Sequence, residues 1–512
     1  MEPTAGKPSF LRNIMARVLF FGVFIIIVRF AYIVTLAGES CNLGDFCFFS
    51  LPENFNFVIS GAGGGASTVN KAVRPAGQTQ KDLYTSKDWI KSVQFYSSVF
   101  QDLISEGYLS PISKSMCVET PAGQDVFALK EIGVSDSIGV FKKASKPLVI
   151  SSKTSGIPFD DDTFDFVFSG RDGFSKSARP LDLASEIART LKPEGFLVVH
   201  VRAKDTYSFN SFLDLFNSFK LIKSHNIDGY DSSMPYIRQI VLQKWTGFFS
   251  QGIEMPVDKE AVNKCPIQEH KLQLIRNAEP LIQEEPLKPW ITLKRNIKNV
   301  RYLSSMVDIS FKNRYVYIDV GARSYGSSIG SWFKKQYPKQ NRTFDVYAIE
   351  ADKTFHEEYK VKKGVTLLPY AAWVRNETLS FEINGDPGKE VQVKGRGMGR
   401  IQPATGDKSS FQGEVDEIQG FDFAAWLKRT VTDKDFVVMK MDVEGTEFDL
   451  IPRLFKTGAI CFIDEIFLEC HYNRWQRCCP GQRSSKYEKT YGQCLQLFNS
   501  LRDNGVLVHQ WW

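Results

Sequence analysis

At 512 residues and a net charge of +6, the chain is too long for one core, and a prior of roughly 150 residues per domain divides it into two or three. Its 43% hydrophobic and 24% charged residues are those of ordinary globular protein. Lysines and arginines are scattered rather than blocked, so nothing electrostatic points to nucleic acid and none is expected as a partner.

Val18 to Gly38 reads VLFFGVFIIIVRFAYIVTLAG, about the length of a bilayer-crossing helix. Arg29 interrupts it at a cost of about 3 kcal/mol at mid-membrane, reduced if the side chain snorkels. Lys7, Arg12 and Arg17 precede the stretch, and Glu39 and Asp45 follow it. The positive-inside rule then predicts a cytosolic tail over 1–17, an anchor over 18–38 and a lumenal remainder. A cleaved signal peptide, with Val18–Val28 as its apolar region, is the rival. The anchor is preferred because apolar residues continue past Arg29. The sequons at Asn341 and Asn376 and the nine cysteines agree with export. Cys470, His471, Cys478 and Cys479 match no zinc spacing, and structural or disulfide roles are expected for the cysteines.

Residues 39–81 are rich in Gly, Ser and Asn and read as a stem. Phe57–Ser67 (FVISGAGGGAS) mimics a nucleotide loop, but Pro75 interrupts the helix that should follow. From 82 to 245 strands and helices alternate. Strands are predicted at Ser115–Val118, Ser137–Val140, Phe164–Phe168, Phe196–Val201 and Ile237–Leu242, and helices over Ala178–Leu191 and Phe209–Phe219. Residues 246–300 carry five prolines and read as a connection containing some helix. A second alternation fills 301–512. Its strands are predicted at Tyr315–Val320, Val346–Glu350, Val365–Pro369, Phe436–Asp442, Glu465–Cys470 and Gly505–Trp512. Its helices are predicted at Ser327–Tyr337, Thr446–Phe455 and Tyr487–Asp503. The expected fold is α/β, with two doubly wound domains behind one anchor.

Ligands of such sheets bind beyond the carboxyl ends of the strands, at the switch point. Asp319, Gly321, Ala322 and Gly326 follow the first strand of the second domain, and small residues there let a ligand touch backbone. Glu350 ends the next strand, where an acid accepts ribose hydroxyls. The loop lacks G-x-G-x-x-G, which argues for a smaller adenosine ligand such as S-adenosylmethionine over a dinucleotide. Asp442 and Glu444 follow the fourth strand, and Glu469 and His471 the fifth.

The segments IDVGARSYG (Ile318–Gly326), VYAIEAD (Val346–Asp352), AAWVRNETLSF (Ala371–Phe381), KMDVEGTEFDLI (Lys440–Ile451) and IFLECH (Ile466–His471) resemble the FkbM family of S-adenosylmethionine-dependent methyltransferases. Arg323 departs from the family's usual asparagine, and Asp386–Gln419 is a long insertion that reads equally as a lid or a surface excursion. The resemblance implies that Asp319, Gly321, Gly326 and Glu350 hold the cofactor and that Ala371 lies near adenine. It further implies methyl transfer to a hydroxyl of a glycan or small molecule. A hydroxyl needs in-line positioning and a base. Asp442 is expected as base or substrate ligand, with Glu444 and His471 assisting. No metal is assigned, because no further ligand accompanies Asp442 and Glu444 in sequence.

Gly156–Gly170 and Glu186–Val201 resemble the later half of small-molecule methyltransferase domains. The first domain therefore reads as a degenerate copy, with Pro121 in its first loop and Phe141-Lys142 where the ribose acid belongs. The whole resembles plant membrane-anchored methyltransferase-like proteins, two Rossmann-like class I methyltransferase domains in tandem behind a transmembrane helix. The expected setting is a Golgi or other secretory membrane in type II orientation. A metal-dependent glycosyltransferase using Asp160-Asp161-Asp162 or Asp433-Lys434-Asp435, and a non-catalytic scaffold, are the alternatives.

Overall fold

The computed structural model describes residues 84, 86–203, 205–232, 234–245, 269–383, 399–402, 414–476 and 481–511. The chain divides into two units, Met1–Gly77 and Gln78–Trp512. The expected tail, anchor and most of the stem lie outside the described residues. Among the described residues no helix is long and apolar enough to cross a membrane.

The first sheet takes β1 (Ser115–Val118), β2 (Ser137–Phe141), β3 (Val149–Ser151), β4 (Phe164–Ser169), β5 (Leu191–Val201), β6 (Phe219–Asp228) and β7 (Tyr236–Lys244). Their order is β3-β2-β1-β4-β5-β7-β6. The first five run parallel, and β7 is antiparallel to both β5 and β6. Side chains alternate across the sheet as a strand's two-residue period requires. Phe166, Phe168 and Val198 pack under helix α1 (Lys87–Ser105), which buries Trp89, Tyr96, Phe100 and Leu103. Val167, Leu197 and Val199 face the opposite layer, where α2 (Pro180–Thr190) contributes Leu183, Ala184 and Ile187. The helix expected over Phe209–Phe219 is instead α3 (Thr206–Leu213), capped by Asp205, whose Oδ1 accepts from Ser208 N–H at 2.7 Å. Phe219 opens β6, an edge strand with no fully buried residue, so it carries no apolar run to betray it.

The second sheet is built from β8 (Tyr315–Val320), β9 (Asp345–Ile349) and β10 (Thr366–Leu368). After four strands of a smaller sheet, β11 (Ala371–Trp373), β12 (Glu377–Ile383), β13 (Gly399–Gln402) and β14 (Glu414–Asp422), it resumes with β15 (Phe436–Met441), β16 (Glu465–Leu468) and β17 (Leu507–Gln510). The order is β10-β9-β8-β15-β16-β17, all parallel. This is the doubly wound order that reverses between its first and fourth strands. Helices α4 (Phe423–Thr430), α5 (Glu447–Thr457) and α6 (Tyr491–Asp503) cover one face. On the other, Ile329–Phe333 forms a π turn, followed by one helical turn, where a single helix over Ser327–Tyr337 was expected. Ile275 and Leu281, from the segment read as a connection, are buried in the two clusters of this second sheet.

The small sheet pairs β11 parallel with β14, and β12 antiparallel with β13 and β14. Part of the Asp386–Gln419 insertion therefore becomes structure beside the main sheet; residues 386–398 and 403–413 of it lie outside the described residues. The two main sheets also touch. Tyr207 Oη donates to Asp464 Oδ1 at 3.3 Å, Asp308 N–H donates to Asp205 Oδ2 at 3.1 Å, and Phe212 meets Phe311 edge-on at 5.3 Å between centroids.

Candidate active site

The carboxyl ends of β8, β9 and β15 open onto a cleft, the place where doubly wound sheets take their ligands. Gly321, Glu350, Ala371, Asp442 and Glu444 line it, as do Arg323, Tyr370, Phe381, Gly399 and Ile401. The last three come from the small sheet, and two of them, Gly399 and Ile401, belong to the insertion.

Gly321 answers to its neighbours in the chain. Its φ is +78°, and a Cβ there would lie 1.9 Å from the Asp442 carbonyl oxygen. Asp442 N–H in turn donates to Val320 O at 3.0 Å. The absence of a side chain at 321 thus lets the end of β15 close against β8 and fixes where Asp442 leaves the sheet.

Glu350 is nearly buried. Its Oε2 accepts from Arg323 N–H at 2.5 Å and its Oε1 from Asp352 N–H at 2.7 Å. A carboxylate has about four acceptor sites, so two remain for ribose hydroxyls. Burial pushes its pKa up to about 7, against the pull of those two backbone donors. Arg323 sits at φ +50°, a left-handed conformation that suits asparagine better than arginine.

Asp319, expected at the cofactor, is fully buried and is not part of the cleft lining. It accepts from Ser328 Oγ, and from Tyr317 Oη at 3.3 Å, and Lys440 Nζ stands 3.8 Å from its Oδ1. Burial raises its pKa, with Lys440 opposing. Asp319 therefore anchors the loop after β8 from below. Ala322 is also fully buried, and Gly326 lies in open space away from the lining.

Asp442, Glu444 and His471 do come together. One ligand atom from each lies within 4.8 Å of the others. His471 Nε2 is 3.7 Å from Asp442 Oδ1, 3.8 Å from Glu444 Oε1 and 3.9 Å from Glu469 Oε1. Its Nδ1 is 3.2 Å from Glu447 Oε1, which also accepts the His471 backbone N–H at 2.6 Å. Burial would lower the imidazole pKa, but Glu447, Glu444 and Asp442 outweigh it and lift it to about 9. Burial and Asp442 push Glu469 up to about 7. Burial likewise disfavours the Lys440 charge, yet Asp442, Asp319 and Glu469 reverse the balance and raise its pKa.

Glu444 has φ +52°, and its Oε2 accepts from Lys486 Nζ at 2.7 Å and from Tyr487 Oη. Glu447, in the first turn of α5, takes Gly445 N–H at 2.9 Å. Lys486, Tyr487 and Glu447 escaped sequence reasoning because nothing in a single sequence marks a lysine or tyrosine forty residues away as a carboxylate's partner. Phe381 was open to detection through the alternation of LSFEI. Cys470, beside His471, is disulfide-bonded to Cys494, and Cys461 is also in a disulfide. The Asp-x-Asp runs have structural partners: Asp161 pairs with Arg189, Asp162 with Lys244, and Asp435 accepts from Thr432 N–H.

A family model described as a methyltransferase domain matches residues 135–199, spanning β2 to β5. A second, described as a domain of unknown function (DUF7870), matches residues 275–380 and 401–512. No curated protein matches the chain. Similar solved structures include a SAM-dependent methyltransferase from Aquifex aeolicus, at 16% identity over 28% of this chain and 88% of that one, with a TM-score of 0.24. Another is the PH0226 protein from Pyrococcus horikoshii, at 14% identity over 31% and 92%, with a TM-score of 0.25. At these identities and scores the likeness says nothing about reaction or substrate. The methyltransferase-domain match, which lies in the first sheet, supports a methyltransferase of the α/β kind.

Proposed function

We propose that the second sheet is the catalytic centre of an FkbM-type O-methyltransferase, transferring the S-adenosylmethionine methyl group to a hydroxyl of a glycan or small molecule. One observation carries the reading. A single cleft at the switch point between β8 and β15 is lined by a ribose-compatible acid, Glu350, together with Asp442 and Glu444. Ala371 and Tyr370 offer an apolar wall for adenine beside Glu350. Bound there, the cofactor supplies an electrophilic sulfonium methyl. Asp442, about one-third exposed, faces the acceptor side and would hold or deprotonate the hydroxyl, and the cleft walls would align it for displacement. In the first sheet, β2 ends at Phe141 and Lys142 follows, so no acid stands where Glu350 does. A scaffolding or substrate-binding role is proposed for that domain.

The compartment proposed is a secretory lumen, reached through an anchor at 18–38. The Cys470–Cys494 bond and the disulfide of Cys461 favour an oxidising space, and both sequon asparagines are exposed. Calorimetry with S-adenosylmethionine and its demethylated product is the first test, followed by labelled methyl transfer onto a panel of glycans. Binding abolished by Glu350→Ala, and transfer abolished by Asp442→Asn with binding kept, is the expected result. Folded protein that binds neither compound would end the reading.

A further inference from the structure

We propose that Asp442, Glu444 and His471 form a divalent-cation site on the acceptor rim of the cleft. The first observation is geometric. His471 Nε2 faces Asp442 Oδ1 and Glu444 Oε1 at 3.7 and 3.8 Å. These separations are too long for hydrogen bonds, but one ion with bonds of about 2.0–2.4 Å spans them. The second is where a buried imidazole nitrogen points. His471 is only 9% exposed, and its Nε2 faces Asp442, Glu444 and Glu469 together, each beyond hydrogen-bond range.

The third observation is how the three side chains are held. Each has one polar atom engaged from behind and another turned to the common point. His471 engages Glu447 through Nδ1, and Glu447 is fully buried. Glu444 engages Lys486 and Tyr487 through Oε2 and turns Oε1 inward. Asp442 faces Lys440 with Oδ2, at 3.5 Å, and His471 with Oδ1. Carboxylate-backed imidazole and hydrogen-bonded carboxylates are how proteins orient metal ligands. Two carboxylates and one imidazole, with Glu469 3.9 Å from the same Nε2, suit Mn²⁺ better than Mg²⁺, which prefers oxygen alone. The neighbouring Cys470 is unavailable as a thiolate because it is disulfide-bonded. In the methyl-transfer reading, on which this role rests, the cation would bind the acceptor hydroxyl and make it more acidic beside the methyl donor.

The test is Mn²⁺ binding to the full chain in detergent, followed by calorimetry and electron paramagnetic resonance. The expected result is one ion per chain, with a nitrogen coupling from imidazole in the pulsed spectrum of the wild-type protein. Asp442→Asn and His471→Gln should abolish binding, and His471→Gln should remove the nitrogen coupling from any residual signal. Glu447→Gln, at a positioning residue, should weaken affinity about tenfold. Folded wild-type protein that binds no Mn²⁺, or binds it without nitrogen coupling, overturns the proposal. So does binding that both ligand variants leave intact. Because the nitrogen signature is read on wild-type protein, misfolded variants cannot shelter the idea. S-adenosylmethionine binding measured in chelator separates the two readings: donor binding without Mn²⁺ binding sinks the cation site alone, and Mn²⁺ binding without donor binding sinks only the methyltransferase assignment.

Discussion

Gly321 and Glu350 show how single positions shape the cleft. Gly321→Ala must place a methyl 1.9 Å from the Asp442 carbonyl at a φ of +78°. The conformation alone costs about 1–2 kcal/mol, and the clash adds to it. A loss of at least about 2 kcal/mol in the unfolding free energy from urea titration is expected, together with weaker donor binding as Asp442 shifts. Glu350 gives a pH signature. Burial pushes its carboxyl pKa up to about 7, and ribose hydroxyls donate more strongly to the ionised form. Donor affinity should therefore fall as pH drops through 7, by up to about tenfold between pH 8 and pH 6. Calorimetry at the two pH values checks this, and Glu350→Gln should flatten the slope. Both residues were legible in sequence because a strand that ends on an acid or a tight glycine advertises its end. Asp319 was legible as a strand-terminal acid too, but its burial was not. Whether such an acid faces a ligand or a neighbouring lysine depends on Lys440 and Ser328, which reach it only through the fold.

The elements easiest to foresee were the buried strands, such as β8 and β15, whose apolar runs are continuous. The small sheet β11–β14 was missed. Its strands are short or interrupted by the insertion, and the parallel pairing of β11 with β14 joins residues about fifty apart. The C-terminal strand hides a different feature. His509 on β17 lies fully buried between Glu279, at 2.5 Å, and Glu465 of β16, at 2.9 Å. Tyr337 also donates to Glu465, so a strand, its neighbour and the preceding segment share one network. Burial would lower the His509 pKa, but the two carboxylates raise it to about 9. Because the folded value exceeds the unfolded one, this stabilisation is complete below about pH 6.5 and lost as pH rises through 9. A decline on the order of 3 kcal/mol across that window is expected in urea titrations of the wild type. His509→Phe should cost about 3–5 kcal/mol near neutrality and abolish the pH-dependent part, because it strands two buried acids.

Across the whole molecule, the two sheets are joined by ionic and aromatic contacts that neither half's sequence displays. Asp464, buried at the start of β16, accepts from Tyr207 of the first domain and from Lys271 of the connection. Burial raises its pKa, but Lys271 and Lys312 outweigh that and hold it below the usual range. The alternating pattern revealed two α/β halves; it gave no sign of this seam, which depends on side chains about two hundred residues apart. Calorimetric melting should show one transition for both sheets, and Asp464→Ala should split or broaden it while costing about 3 kcal/mol. The bond between Cys470 and Cys494 has a consequence for how active protein is obtained. It staples the residue next to His471 onto α6 across a 24-residue separation, a span for which closure is worth about 3 kcal/mol. Chain harvested from a reducing host would carry a slack acceptor rim even with both sheets folded. Refolding in a glutathione redox couple should then restore ligand affinity before it produces any visible gain in helix or strand content.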